Sequence, residues 1–296
     1  MTTPLICVDA WGGPFGPGAV IANTAREVIG KDSVFPVAMI KRGTEFLGLE
    51  ELAEAVSKSS RDVLTFSTIP SIALFLDTLE RINATNTLTK SDRDIVHRWP
   101  NLVNSEFNGR RVEVCTLDDC TPDFLAGFSD SAGRIFAKTL VKKSAGHGMV
   151  INPEEVISAG TNGLPVVNIS GEISTVPVDS SEPLIVSQPI DIAEDDKGKI
   201  EYRSWIIDHA LSCVGRYWHD NAPIDEPADD VLDFLERFTS AHRDILPKHY
   251  VLDFARTQSG QLVVVEVNFL GESGIAGDED AKGAVLNRLF TSLKQV

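Results

Sequence analysis

Hydrophobic and polar positions change rhythm along this chain. Up to about residue 110, short apolar runs at Leu5-Ile6-Cys7-Val8, Val34 to Met39 and Val63-Leu64-Thr65-Phe66 alternate with amphipathic stretches at Gly48 to Val56 and Ile72 to Ile82. Short runs bounded by turn residues read as strands and 3.6-residue spacing reads as helix, so this part predicts an α/β domain with a mainly parallel sheet. Beyond Pro122 the pattern turns to paired strands: Arg134 to Val141 with Met149 to Ile151, then Val166 to Ile169 with Glu172 to Val176 across a Ser170-Gly171 turn. Leu184 to Ser187 and Glu201 to Asp208 flank a polar loop, and a helix from Asp229 to Phe238 leads into a last hairpin. The fold class expected is α/β, with α+β character in the C-terminal part. Three segments follow: 1–120, 121–190 and 191–296. The Trp11 to Gly18 loop after the first strand lacks the spacing of a phosphate-binding glycine motif and reads as a tight surface loop.

Composition narrows the function classes. A formal net charge of -16 on 296 residues argues against a nucleic-acid backbone as partner, which calls for a clustered basic surface. Cys7, Cys115, Cys120 and Cys213 are too dispersed for a disulfide framework and form no C-x-x-C pair, so they are expected to be reduced thiols. The first residues lack the basic start of a secretory signal and no run approaches membrane-spanning length. The expectation is a soluble, cytoplasmic protein with no membrane partner. Its oligomeric state is not legible.

The final hairpin carries the clearest chemistry. Tyr250 to Ala255 and Gln261 to Asn268 flank a polar turn, Thr257-Gln-Ser-Gly260. A turn symmetric about Gln258-Ser259, or one residue later, sets Asp253 opposite Val264 or Glu266, and alternation then puts Asp253, Glu266 and Asn268 on one face. Two carboxylates beside valines repel each other and lose hydration, which a cation offsets. Magnesium suits such oxygen donors, combining one or two carboxylates with waters and phosphates. The plainer alternative is a solvated face that binds nothing.

Two upstream strands carry cations. In Arg134 to Lys143, alternation sets Lys138 and Lys142 on one face, ahead of the small-residue loop Ser144-Ala-Gly146-His147-Gly148. Its backbone amides could close over phosphate while the ammonium groups offset the charge; the alternative is an edge strand guarded by lysine. In Glu201-Tyr-Arg203-Ser-Trp205-Ile-Ile207, alternation puts Glu201, Arg203, Trp205 and Ile207 on one face. There Arg203 suits either a phosphate oxygen or an internal ion pair packed on an aromatic ring. Gly215-Arg216-Tyr217-Trp218-His219 is a further aromatic cluster that could face a substrate or simply pack. The six histidines form no Ser-His-Asp, Cys-His or H-E-x-x-H arrangement.

In order, Phe136, Lys138, Lys142, the glycine loop, the hinge-like Leu184 to Ile190, Glu201-Tyr-Arg203, Asp253 and Glu266-Val-Asn268 resemble an ATP-grasp domain. The two lysines and the E-x-R strand resemble more narrowly the branch named for one arginine and two lysines. The likeness covers about the C-terminal two thirds. It makes 1–120 the α/β domain that precedes an ATP-grasp unit, 121–190 its lysine and glycine-loop subdomain, and 191–296 its metal-binding subdomain. It implies that Lys138, Lys142 and the loop from Gly146 to Gly148 hold ATP phosphates, that adenine lies by Val186, Gln188 and Ile190, and that Glu201 belongs to the nucleotide set. Asp253, Glu266 and Asn268 would hold magnesium. Ser187-Gln188-Pro189 departs from the acidic hinge of many members, leaving Asp191 and Glu194 as ribose candidates, and a bulge would exchange Lys142 for Lys143.

The activity implied is ATP-dependent joining of a small-molecule or peptide carboxylate to an amine through an acyl phosphate, with Arg203 and Lys138 as the catalytic pair. A kinase acting on a hydroxyl and a non-catalytic nucleotide-binding module are the competing readings.

Overall fold

The computed structural model describes residues 3–9, 17–40, 45–59, 61–66, 92, 94–140, 148–167, 172–217, 227–273 and 279–294. The helix expected at Ile72 to Ile82, the loop residues 11–16, Lys142, Lys143, Gly146, the Ser170-Gly171 step, Trp218 and His219 lie outside them. The chain divides into two units: residues 1–96, 200–254 and 266–296 form one, and 97–199 with 255–265 the other.

The first unit begins with the α/β pattern the apolar runs predict. Strands β1 (Leu5–Asp9), β2 (Val34–Ile40), β3 (Glu45–Leu47) and β4 (Val63–Phe66) form a sheet ordered β3-β2-β1-β4. β1 pairs in parallel with β2 and β4, and β3 runs antiparallel to β2. All four residues of β4 are buried, as expected of a strand covered on both faces. Helix α1 spans Pro17–Ile29, and α2 spans Leu49–Lys58, burying Leu52. The surface-loop reading from Trp11 to Gly18 is thus corrected at its end: Pro17 opens a helix, a position where its fixed φ and missing N–H are no handicap.

The second unit contains β5 (Val112–Thr116), β6 (Ile135–Thr139) and β7 (Met149–Ile151). An antiparallel pair, β8 (Leu164–Val167) and β9 (Ile173–Val176), follows in sequence. Then β10 (Pro183–Ser187) inserts between β5 and β6, giving the antiparallel order β5-β10-β6-β7. One face of this sheet buries Ile135, Ala137, Leu184 and Val186 with Leu125 and Phe128. Two of the four cysteines, Cys115 and Cys120, meet in this core with sulfurs 3.6 Å apart, as free thiols in contact. A two-stranded pair, β11 (Glu194–Asp195) and β12 (Gly198–Lys199), closes the polar loop.

The rest of the first unit is built on a sheet ordered β14-β13-β15-β16, from β13 (Glu201–Ile207), β14 (Ala210–Arg216), β15 (His249–Arg256) and β16 (Leu262–Phe269). Asp208 and His209, both at positive φ, make the tight turn between β13 and β14. Alternation sends Tyr202 and Phe254 to one face. There they stack on each other at 5.0 Å, and Phe234 of helix α3 (Asp229–Ala241) stacks on Phe254 at 5.2 Å. Helix α4 (Glu279–Lys294) buries Val285, Leu286, Leu289, Phe290 and Leu293, and its Lys294 donates to the Val28 carbonyl at the end of α1. With one face of the β13–β15 pair covered by α3, the neighbouring residues Arg203 and Asp253 point to the other.

Candidate functional site

Arg203 and Asp253, on adjacent strands, meet edge to edge: Nε donates to Oδ1 and Nη2 to Oδ2, each at 2.7 Å. Only 13% of the Arg203 side chain and 8% of the Asp253 side chain are exposed, so the pair is largely withdrawn from water. Asn268 joins it, its Nδ2 donating to Asp253 Oδ2 at 2.9 Å. An amide that donates to a carboxylate must turn its nitrogen toward it, which directs the Asn268 carbonyl oxygen elsewhere. Burial works against the Arg203 charge; the Asp253 carboxylate, with Glu266 further off, outweighs it and holds the guanidinium more firmly protonated than usual.

The hairpin reaches this arrangement by a route that its turn residues do not announce. Thr257 donates to the Gln261 carbonyl and Gly260 to that of Thr257, each at 2.8 Å, and Gly260 takes φ 86°. This is a three-residue turn, for which the positive φ makes glycine apt. Its register alone sets Val265 across from Asp253 and turns Asn268 to the opposite face. The Asn268–Asp253 hydrogen bond therefore requires one extra residue in β16 between the turn and Asn268, and consecutive half-buried Val265 and Glu266 mark where the alternation breaks.

A ring completes the cluster. The Arg203 guanidinium carbon lies 4.3 Å from the centroid of Tyr217, just beyond β14. Strand alternation suggests Trp205 as Arg203's neighbour on its face, but Trp205 is wholly buried and the register of β13 against β14 slips between Trp205 and Ile206. Burial, first, and then the carboxylates of Asp253 and Glu266 push the Tyr217 hydroxyl up to about 12, against the pull of Arg203. Glu201, half-buried, accepts the Tyr217 backbone N–H at its carbonyl, 2.9 Å. Of the residues named from sequence, this unit thus brings together Glu201, Arg203, Asp253, Glu266 and Asn268.

In the second unit, Lys138 sits in β6, paired with Ile185 of β10. β6 is an inner strand, which removes the edge-guard explanation for that lysine. Lys138 and Phe136 are half-buried while Ile135, Ala137 and Thr139 are buried, so the lysine is on the less covered face. Gly148 lies against it: a Cβ there would come within 2.5 Å of the Phe136 ring and 2.6 Å of Lys138 Cβ. Val186 pairs on both sides, with Glu113 and Ala137, and its side chain is core. The strand leaves the sheet at Gln188, whose N–H donates to the Arg111 carbonyl while its Oε1 accepts the Arg111 N–H, each at 3.1 Å. Ile190 follows half-buried; Asp191 and Glu194 are exposed.

Asp253, Glu266 and Asn268 are an all-oxygen donor set suited to magnesium. Among the described residues no three His, Cys, Asp or Glu side chains gather as a metal cage. These three would therefore supply only part of a coordination sphere, which suits a cation that arrives with nucleotide phosphates and waters.

Residues 167–293 match a family described as an ATP-grasp domain, family 3 of the clade named for one arginine and two lysines. Among solved structures, the chain is similar to a RimK domain ATP-grasp protein from Sphaerobacter thermophilus, with TM-score 0.57, 12% identity and coverage of 98% of this chain and 99% of that one. It is also similar to D-cycloserine synthetase DcsG, with TM-score 0.55, 14% identity and 98% and 99% coverage. The macrocyclase MdnC from Microcystis aeruginosa, solved with its precursor peptide, gives TM-score 0.51, 12% identity and the same coverage. At such identities the likeness is one of fold. No curated protein matches in sequence. Among the described residues no helix is long and apolar enough to cross a membrane.

Proposed function

We propose, from the premise that residues 167–293 of this chain belong to the ATP-grasp superfamily, that the protein is an ATP-dependent ligase joining a carboxylate to an amine through an acyl phosphate. The observation that carries this reading is the two-point contact of Arg203 with Asp253, with Asn268 on the same carboxylate. The contact uses the Nε and Nη2 edge of the guanidinium and leaves Nη1 for a second anion, so Arg203 can hold Asp253 and still donate to a phosphoryl oxygen. The structural relatives, an amino-acid-derived ring synthetase and a peptide macrocyclase among them, make amide-type products a sensible class to test first.

In this reading Asp253, Glu266 and Asn268 hold magnesium, which when bound supplies Lewis-acid charge compensation at the phosphates. Arg203 and Lys138 offset the charge on the phosphoryl group as it passes to the substrate carboxylate. Lys142 and the loop residues Gly146 and Gly148 are assigned to the phosphates, and Val186, Gln188 and Ile190 to the adenine side, with Glu201 supporting the same nucleotide. No protein nucleophile is needed; the amine attacks the acyl phosphate and displaces phosphate. The location assigned is cytoplasmic, with a small molecule or peptide as substrate.

Incubating the protein with MgATP and a panel of carboxylic acids, with and without amines, tests this. The reading expects ADP, phosphate and an amide. ADP with a stable phosphomonoester would make the protein a kinase, and nucleotide binding without ADP across the panel would make it a binding module.

A further inference from the structure

Arg203 can serve two anions only if its plane is fixed, and the structure shows what fixes it. A guanidinium held by one edge still swings about the axis through its two hydrogen bonds. Directly across the β13–β14 pair from Arg203 stands Gly215, which has no side chain. Tyr217, two residues further on and on the same face, is the diagonal neighbour, and its ring occupies the ground that a side chain at 215 would otherwise fill. The ring lies 4.3 Å from the guanidinium carbon, within range of a cation–π contact. The Tyr217 N–H bonded to the Glu201 carbonyl pins the base of the ring to β13. Arg203 is therefore constrained on two sides, by Asp253 along one edge and by Tyr217 across one face.

We infer that Tyr217 is a positioning residue for Arg203, holding the guanidinium so that its Nη1 edge meets the terminal phosphoryl group of the bound nucleotide. The residue acts through its ring. Its hydroxyl, pushed to about 12 chiefly by burial, stays protonated at neutral pH and takes no part as a base. The inference rests on the ATP-ligase reading for what Nη1 meets, but not for the positioning itself.

Two measurements separate these. In proton–nitrogen correlation spectra of the full chain, the Arg203 Nε–H signal, assigned by its loss in Arg203→Lys, reports the plane directly. It is expected to keep its ring-shifted position and slow solvent exchange in Tyr217→Phe and to lose both in Tyr217→Leu. Calorimetric titration with magnesium and a non-hydrolysable ATP analogue reports the consequence: Tyr217→Leu weakens binding about 10-fold while Tyr217→Phe matches the parent, as expected of a desolvated cation–π contact. AMP, which lacks the terminal group, binds all three alike. A Gly215→Val chain, whose new side chain competes with the ring, behaves as Tyr217→Leu. An unchanged Nε–H signal in a folded Tyr217→Leu chain, or a loss in Tyr217→Phe as large as in Tyr217→Leu, overturns the inference. If the Nε–H signal responds as stated while the parent binds neither nucleotide, the positioning stands and the ATP-ligase reading falls.

Discussion

Arg203 grips Asp253 edge to edge across adjacent strands, Nε to Oδ1 and Nη2 to Oδ2, each at 2.7 Å, with less than a seventh of either side chain exposed. Such a pair costs desolvation to assemble and much more to break singly. Removing one partner strands the other charge in a low-dielectric setting, so Arg203→Met and Asp253→Asn are each expected to lower stability by about 3–5 kcal/mol. The double variant should lose clearly less than the sum of the two. Urea denaturation of the four proteins checks this, and strict additivity would show that the contact carries no coupling.

A second expectation concerns pH. Burial holds His249 down to about 4, Asp208 opposing and Lys248 and His209 reinforcing, and its Nδ1 accepts the Asp208 N–H as only an unprotonated nitrogen can. The folded pKa is below the unfolded one, so the unfolded chain binds the extra proton. Stability is therefore full above about 6.5 and falls as pH drops toward about 4, by roughly 1.4 kcal/mol per pH unit for this group. Replacing His249 by Gln should flatten that part of the stability curve by the same slope; an unchanged slope in a folded variant removes His249 as its source.

Gly148 gives a steric test. A methyl group there would meet the Phe136 ring at 2.5 Å, Lys138 Cβ at 2.6 Å and the Ala137 carbonyl oxygen at 2.9 Å, with backbone among the atoms that must yield. Gly148→Ala is expected to cost about 1–3 kcal/mol by overpacking. If Lys138 serves the phosphates, the variant also weakens nucleotide binding, measured by titration below its melting range. Stability equal to that of the parent would show that β7 simply shifts away.

The two charged sets should differ in their metal dependence. Glu266→Gln is expected to weaken nucleotide binding in the presence of magnesium and to have little effect in its absence. Lys138→Ala weakens binding in both conditions, because an ammonium offsets phosphate charge whether or not a cation accompanies it. Titrations with and without a chelator separate the two, and equal affinities throughout would return both residues to a structural role.

Much of this was legible in the sequence where neighbours are near in the chain. The apolar runs gave β1, β2 and β4 almost to the residue, and period-two alternation placed Asp253 with Asn268, although it did so through the wrong turn: two departures, the three-residue turn and the bulge near Glu266, cancel in parity. What was not legible depends on distant pairing. The partner of Arg203 is 50 residues away, on a strand whose adjacency no local pattern encodes. β14 went unseen because Ala210-Leu-Ser-Cys-Val-Gly-Arg216 alternates weakly and its turn is Asp208-His209 in place of a glycine-bearing pair. Tyr217's place over Arg203 was hidden with it, though a glycine two residues before an aromatic at a strand end was a usable signal.

The central claim is that Asp253, Glu266 and Asn268 receive the cation of a bound nucleotide. The most direct measurement is a crystal structure of the full chain with manganese in place of magnesium and a non-hydrolysable ATP analogue, with the metal located by its anomalous scattering. The account predicts one or more manganese peaks bonded to oxygens of Glu266 and Asn268 beside Asp253, with Arg203 Nη1 on the terminal phosphoryl group. Nucleotide bound with its metal away from these three residues would contradict it.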